Sequence, residues 1–248
     1  MASASQTAAA RRMPAITGRN GLIDKYFYLF AALLSAVIVA WGFGHTVNQN
    51  LLHASPPRPL LLWFHGAVFS FWALFYILQS ALVRTRNVKV HRFLGWFGAG
   101  LGATMVVLGS ATGIVMAGFD MHTLHEPGSD AFLIVPLFDM VAFATFLGLA
   151  VLWRRKPELH RRLIFIATCG LVVAAFARIP WINEHDLAYM AVDAFIFLGA
   201  VRDLLVMRRV HKVYLIALPI LIACHLFVVH TETSSAAWWV KIADRILG

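Results

Sequence analysis

Among the ionisable residues inside long apolar stretches of this chain, five lie toward one common end: His65, Asp139, Arg178, Asp193 and His225. A titratable side chain is costly in such a setting, which makes each of them a candidate site residue. Two imidazoles and two carboxylates brought together suit a first-row metal such as copper or zinc, because neutral His binds these ions and carboxylate balances their charge. His65 and His225 alone would instead suit axial ligation of a b-type haem, with Arg178 paired to a propionate. The competing expectation is structural: Arg178 neutralises Asp139 or Asp193, and the histidines hydrogen-bond across helices.

The elements that must position these residues follow from the composition. Of 248 residues 60% are hydrophobic and only 13% charged, against roughly a quarter charged in soluble domains, so lipid is the main solvent and a soluble globule is excluded. A helix needs about 20 apolar residues to cross a bilayer, and a helix satisfies its own backbone there. Seven stretches qualify: Tyr26 to Gly44, Leu60 to Val83, Phe93 to Ala117, Phe132 to Trp153, Leu163 to Pro180, Leu187 to Val206 and Val213 to His230. The expected fold is an all-α bundle of seven transmembrane helices, built from the first helix plus three hairpins. At 1.5 Å rise per residue, His65 and His225 lie about 7 Å, Asp139 about 10 Å, Asp193 about 9 Å and Arg178 about 3 Å from one common end.

The loops separate by charge. Arg84, Arg86, Lys89 and Arg92 lie between segments two and three, Arg154, Arg155, Lys156, Arg161 and Arg162 between four and five, and Arg208, Arg209 and Lys212 between six and seven. The opposite loops hold Asp120, Glu126, Asp130, Glu184 and Asp186, with Arg58 as their cation. By the positive-inside rule the first set is cytoplasmic, which puts the amino terminus inside and the carboxyl terminus outside a bacterial inner membrane. The net charge of +9 is thereby assigned to anionic lipid headgroups, not to nucleic acid. Residues 1–25 read as a disordered cytoplasmic tail, 26–230 as the membrane domain and 231–248 as a periplasmic segment. In that last segment Trp238, Trp239, Ile242 and Ile246 alternate with Lys241 and Arg245 at helical spacing, as in a helix lying on the interface.

Each basic loop runs into a helix through a His-Arg or His-Lys pair: His91-Arg92, His160-Arg161 and His211-Lys212. Helix starts beside cations attract phosphate, so these six residues are candidates for anionic headgroup contact, or for a haem carboxylate, nucleotide or quinone headgroup. Asp203, next to Arg202, is expected to pair with an arginine of a neighbouring loop. The third segment carries Gly95, Gly98, Gly102, Gly109 and Gly113 on one face, suited to close helix packing or to a flat cofactor. The seventh segment lacks a lysine for a retinal Schiff base, no phosphate-loop glycine pattern is present, and His-Glu-x-x-His is absent. Cys169 and Cys224 fall in apolar runs and read as core residues.

Three stretches, WFHGAVFSFWALFYILQ from Trp63, VHRFLGWFGAGLGATMVVLG from Val90 and ELHRRLIFIAT from Glu158, resemble a widespread family of bacterial seven-helix membrane proteins of unknown function. The resemblance runs from about Leu60 to Gly248. It implies that His65, the two His-Arg openings and Arg178 belong to the family pattern, whereas His225 departs from it. No activity comes with it. The expectations for function are a metal or haem protein with a redox or cofactor-handling role, a non-enzymatic transporter or accessory subunit of a membrane complex, or a membrane-embedded metal-dependent lipid hydrolase. The last rests on a loose similarity in topology to the adiponectin-receptor and alkaline-ceramidase superfamily.

Overall fold

The structure is a computed structural model and describes residues 19–248; most of the expected amino-terminal tail lies outside the described residues. These residues form helices and connections, with no strand among them. The helices are α1 (Arg19–Gly44), α2 (Leu60–Arg84), α3 (Val88–His122), α4 (Ser129–Phe132), α5 (Ile134–Leu152), α6 (Pro157–Leu171), α7 (Val173–Phe176), α8 (Pro180–Glu184), α9 (Ala188–Met207), α10 (Lys212–Thr233) and α11 (Ala237–Leu247), with one π-helical turn at Asn48–Leu52.

Six helical runs are long and apolar enough to cross a membrane: α1, α2, α3, the α4–α5 rod, the α6–α7 rod and α10. The chain is therefore a multi-pass membrane protein. Its surface agrees, since Phe93, Val107, Leu74 and Leu226 turn large apolar side chains outward, from 63% to 78% exposed. In water that surface would be an aggregation hazard, and in lipid it is the matching face. The sixth sequence segment, α9, spans 20 residues and is the one that falls outside the six. It carries Asp193, Arg202 and Asp203, and Arg202 and Asp203 are both fully buried.

Boundaries depart from the sequence reading in three places. First, α1 is already helical at Arg19, ahead of Tyr26, and its Asp24 forms an ion pair with Arg202. Second, α3 extends over 35 residues, about 52 Å at 1.5 Å per residue, so it projects beyond a hydrocarbon core of about 30 Å. Third, the fifth segment breaks after Leu171 and again after Phe176. Pro180 then starts α8 and holds Ile179 extended, at φ −81° and ψ 120°, as a residue before proline prefers.

The helices pack as a ring in the order α1, α2, α3, α5, α10, α9, with α6 in the middle touching α1, α5, α9 and α10. Most of the α6–α7 rod is buried, 61% of its best apolar window against 17–28% for the other five. The glycine face of α3 is consumed by this packing. A Cβ on Gly98 would meet Phe75 of α2, one on Gly102 would meet Leu147 of α5, and one on Gly109 would meet Met140 and Phe69. No flat cofactor has room there, and the close-packing reading holds.

Contacts between connections define two ends. At one, His91 meets His160, Arg162 meets Asp203, and the His211 amide reaches Asp203, so all three basic loops gather together. At the other, Arg58 pairs with Asp120 at 2.9 Å. Helix α11 lies at that end against α3 and α4, pinned by the Trp239 indole N–H donating to the Ala131 carbonyl at 3.1 Å. Ala243, one turn on from Trp239, is buried as well, while Trp238, Ile242 and Ile246 stay exposed.

Candidate functional site

Three of the five intramembrane candidates meet. Asp139 comes from α5, Tyr189 and Asp193 stand four apart on α9, and His225 comes from α10. The Tyr189 hydroxyl donates to Asp139 Oδ1 at 3.0 Å, and His225 Nδ1 lies 3.0 Å from Asp193 Oδ1. The Tyr189 and His225 rings stack with centroids 4.3 Å apart and planes 21° from parallel, and Phe138 closes on His225 edge-on at 5.7 Å. A carboxylate accepts and does not donate, so Nδ1 of His225 carries the hydrogen of that bond. Asp139 and His225 also wall a cavity of about 10 Å³ shared with Phe143, Ala167, Gly170 and Leu221, the size that holds a single water.

His65 and Arg178 stand apart from this group. The His65 ring stacks on Phe69 of its own helix at 4.0 Å, with Nδ1 buried and unpartnered. Arg178 lies over the Phe43 ring at 4.3 Å and donates to the Ala174 carbonyl at 2.5 Å, so it neutralises neither Asp139 nor Asp193. Its short reach back along α7 is the reason: the helix ends there, and its last carbonyls need donors.

The expected centre of His65, Asp139, Asp193 and His225 is therefore not assembled. Among the described residues no three His, Cys, Asp or Glu side chains come together to hold a metal ion. A haem between His65 and His225 does not fit either. His225 is held by Asp193 and covered by Tyr189, and the space beside it admits one water, not a porphyrin.

The basic end holds a second and larger group. Arg162, at 0% exposure, grips Asp203 with Nε at 2.8 Å and Nη2 at 2.6 Å, the bidentate geometry that suits guanidinium and carboxylate. Its Nη1 donates to the Glu158 carbonyl at 2.7 Å and to Glu158 Oε2 at 2.8 Å. Arg202 donates to Asp203 Oδ1 at 2.7 Å and also pairs with Asp24, while Arg161 pairs with Glu158 at 2.7 Å. Three arginines thus face three carboxylates, with the Tyr28 ring 5.5 Å from both the Arg161 and Arg202 guanidinium carbons.

The six belt residues divide accordingly. Arg92 and Lys212 are exposed and open to solvent or headgroups. Arg161 is committed to Glu158. His160 Nδ1 lies 2.9 Å from the Ala150 carbonyl, and its ring is 6.2 Å from that of His91. His211 caps α10, its Nδ1 accepting from the Val213 amide at 3.2 Å. Burial first, then the neighbouring Arg162, pushes the His211 imidazole below its ordinary pKa, which keeps that nitrogen free to accept.

Two central residues lie outside the set that the sequence singles out. Arg162 reads there as one more loop cation, although Glu158 four residues before it and the uncompensated Asp203 are both signals for a buried partner. Tyr189 reads as one more apolar-segment aromatic, although it stands four residues before Asp193 on one helical face. Comparison with protein-family models, with curated proteins and with solved structures finds no significant match to this chain.

Proposed function

We propose that this is a seven-span protein of the bacterial inner membrane, amino terminus in the cytoplasm and carboxyl terminus outside, whose outer half binds a proton at Asp139 as part of a transport or relay activity. The observation that carries the proton reading is a missing counter-charge. Asp139 has one neutral donor, Tyr189, and no cation within ion-pair distance among the described residues. A carboxyl group without a counter-charge inside a membrane is neutralised by a bound proton or a bound cation. A calcium ion takes six to eight oxygen ligands, and the surrounding walls are Phe138, Ala142, Phe143 and Phe146. A proton needs no such shell. Tyr189 touches both groups, donating its hydroxyl to Asp139 and stacking its ring on His225, which is bonded to Asp193.

Counting α9 as the seventh span is supported by the burial of its charges. Arg202 and Asp203 neutralise each other and their neighbours inside the bundle, so the lipid meets none of them. The charge asymmetry of the loops supports the orientation, and exposed Arg92 and Lys212 suit contact with anionic headgroups. The motif resemblance supports kinship with the bacterial seven-helix family of unknown function.

In reconstituted vesicles an acid step produces a carboxyl infrared band and proton uptake in the native protein, both lost in Asp139→Asn. Equal signals in the two proteins overturn the assignment. Orientation is read separately: a carboxyl-terminal alkaline phosphatase fusion is active, and a fluorescent GFP fusion at the same place refutes the topology.

A further inference from the structure

The inner half of the bundle contains a run of polar atoms with nothing to bind. Trp72 Nε1, Tyr76 Oη and both amide atoms of Gln79 are buried without a partner, as are Thr168 Oγ1 and His91 Nδ1. Trp72, Tyr76 and Gln79 are only 5%, 6% and 9% exposed. They stand four and three apart on α2, so they share one helical face and form a column along it. An unpaired polar group in an apolar interior is costly, and four on one face are not sustained without partners. Buried water is the usual partner for such groups.

The column has a defined neighbour at each end. At its outer end, Trp72 meets Phe143 edge-on at 5.3 Å and packs in one cluster with Phe143 and Ala167. Phe143 and Ala167 are also walls of the one-water cavity beside Asp139. At its inner end, Gln79 adjoins His91, whose ring faces its backbone carbonyl. His91 in turn faces His160 at 6.2 Å, and Arg92 is the charged neighbour on its own helix. His160 Nδ1 carries the hydrogen given to the Ala150 carbonyl, because a carbonyl only accepts. In the neutral ring Nε2 of His160 is then an acceptor, and Nδ1 of His91 is unpartnered on the neighbouring ring. With the ring centroids 6.2 Å apart, one water can reach both rings.

We propose that ordered water fills this column from the His91–His160 pair past Gln79, Tyr76 and Trp72 to the cavity at Asp139, forming the inner access path for the proton. The inference rests on the reading of Asp139 as the proton site and supplies its connection to the cytoplasmic face. A proton arriving at the bridging water of His91 and His160 forms a new O–H bond there while an O–H bond on that water breaks toward the next. The last water gives its proton to the Asp139 carboxylate, and the chain ends with one O–H bond made on Asp139 and none lost overall. No oxidant or other co-reactant enters.

Two measurements test this. X-ray hydroxyl-radical footprinting of the purified full chain reads buried water directly: after correction for the intrinsic reactivity of each side chain, Trp72 and Tyr76 are oxidised well above the buried Phe143 and Phe165, and Gln79→Leu lowers that labelling. Labelling of Trp72 and Tyr76 no higher than that of the two phenylalanines means a dry column and overturns the proposal. In vesicles of uniform orientation, Gln79→Leu and Tyr76→Phe slow the Asp139 infrared response to an inner-side pH step about tenfold, a barrier increase of about 1.4 kcal/mol, with the outer-side response unchanged. Equal slowing from both sides, or none, overturns the proposal. Absence of any Asp139 band defeats the proton-site reading instead, while footprinting still decides whether the column holds water.

Discussion

At the basic end of the bundle every buried charge is matched: Arg161, Arg162 and Arg202 stand against Asp24, Glu158 and Asp203 within one network. Toward the other end Asp139 and Asp193 face a tyrosine and a histidine, while Arg178 is engaged with Phe43 and the Ala174 carbonyl. The first arrangement fixes helices α1, α6 and α9 to one another through matched charges. The second leaves a carboxyl group whose charge depends on what it binds. Burial with and without a matching arginine is thus separated along the same helix, α9, which carries Asp203 at one end and Asp193 near the other.

Removing a partner from the matched network has the largest expected effect. Arg162→Met leaves Asp203 and Glu158 short of their main cation, and a broken buried pair typically costs about 3–5 kcal/mol. Thermal unfolding in detergent measures it. The double change Arg162→Met with Asp203→Leu removes both charges, and most of the lost stability returns, because the pair itself contributes little beyond its own desolvation. A loss under about 1 kcal/mol for the single change, on the same scale of buried pairs, erases the contrast.

Tyr189→Phe comes next. It removes the one donor to Asp139 and leaves a buried oxygen unsatisfied, at about 1–3 kcal/mol, and it weakens proton uptake as well as stability. Asp139→Asn abolishes uptake but costs less than about 1 kcal/mol, because the amide oxygen still accepts from Tyr189 and no cation loses a partner. Asp203→Asn, the same chemical change in the matched network, costs several times more. Equal destabilisation by the two Asp→Asn changes makes Asp139 a structural anion and breaks the comparison.

The sequence carried the helices because apolar length and loop charge are local properties. Arg84 to Arg92, Arg154 to Arg162 and Arg208 to Lys212 declare one end of the bundle without knowledge of packing. Asp203 likewise announced its need for an arginine partner, and Arg162 supplies it. What stayed hidden was which way side chains at similar depth turn. His65 and Asp139 lie within about 3 Å of the same depth by helical rise, yet they do not meet, because α3 stands between α2 and α5 in the ring. Depth is written in one dimension, and convergence depends on ring order. The break at Leu171 to Val173 was invisible for another reason, since the segment remains apolar throughout and its turn toward α1 and α9 comes from packing.

The smallest effect probes the edge of the matched network under acid. His211 holds α10 by accepting from the Val213 amide, and its backbone amide reaches Asp203 at 3.3 Å. Its imidazole is depressed below the ordinary value by burial and by Arg162, so the folded state resists a proton that the unfolded state takes up. The sign follows: the cap contributes fully above about pH 6.5, the unfolded value, and its contribution is lost as pH falls through the lower folded value. His211→Asn retains a capping oxygen at every pH. At neutral pH the two proteins unfold within a degree or two, and below about pH 6 the native chain loses about 1 kcal/mol relative to the variant, or about 2–4 °C in Tm for a chain of this size. An acid-dependent loss of stability that His211→Asn removes, with proton uptake intact, separates the two ends by experiment. If His211→Asn instead leaves the acid sensitivity unchanged, the matched network itself titrates and is not the closed structure described above.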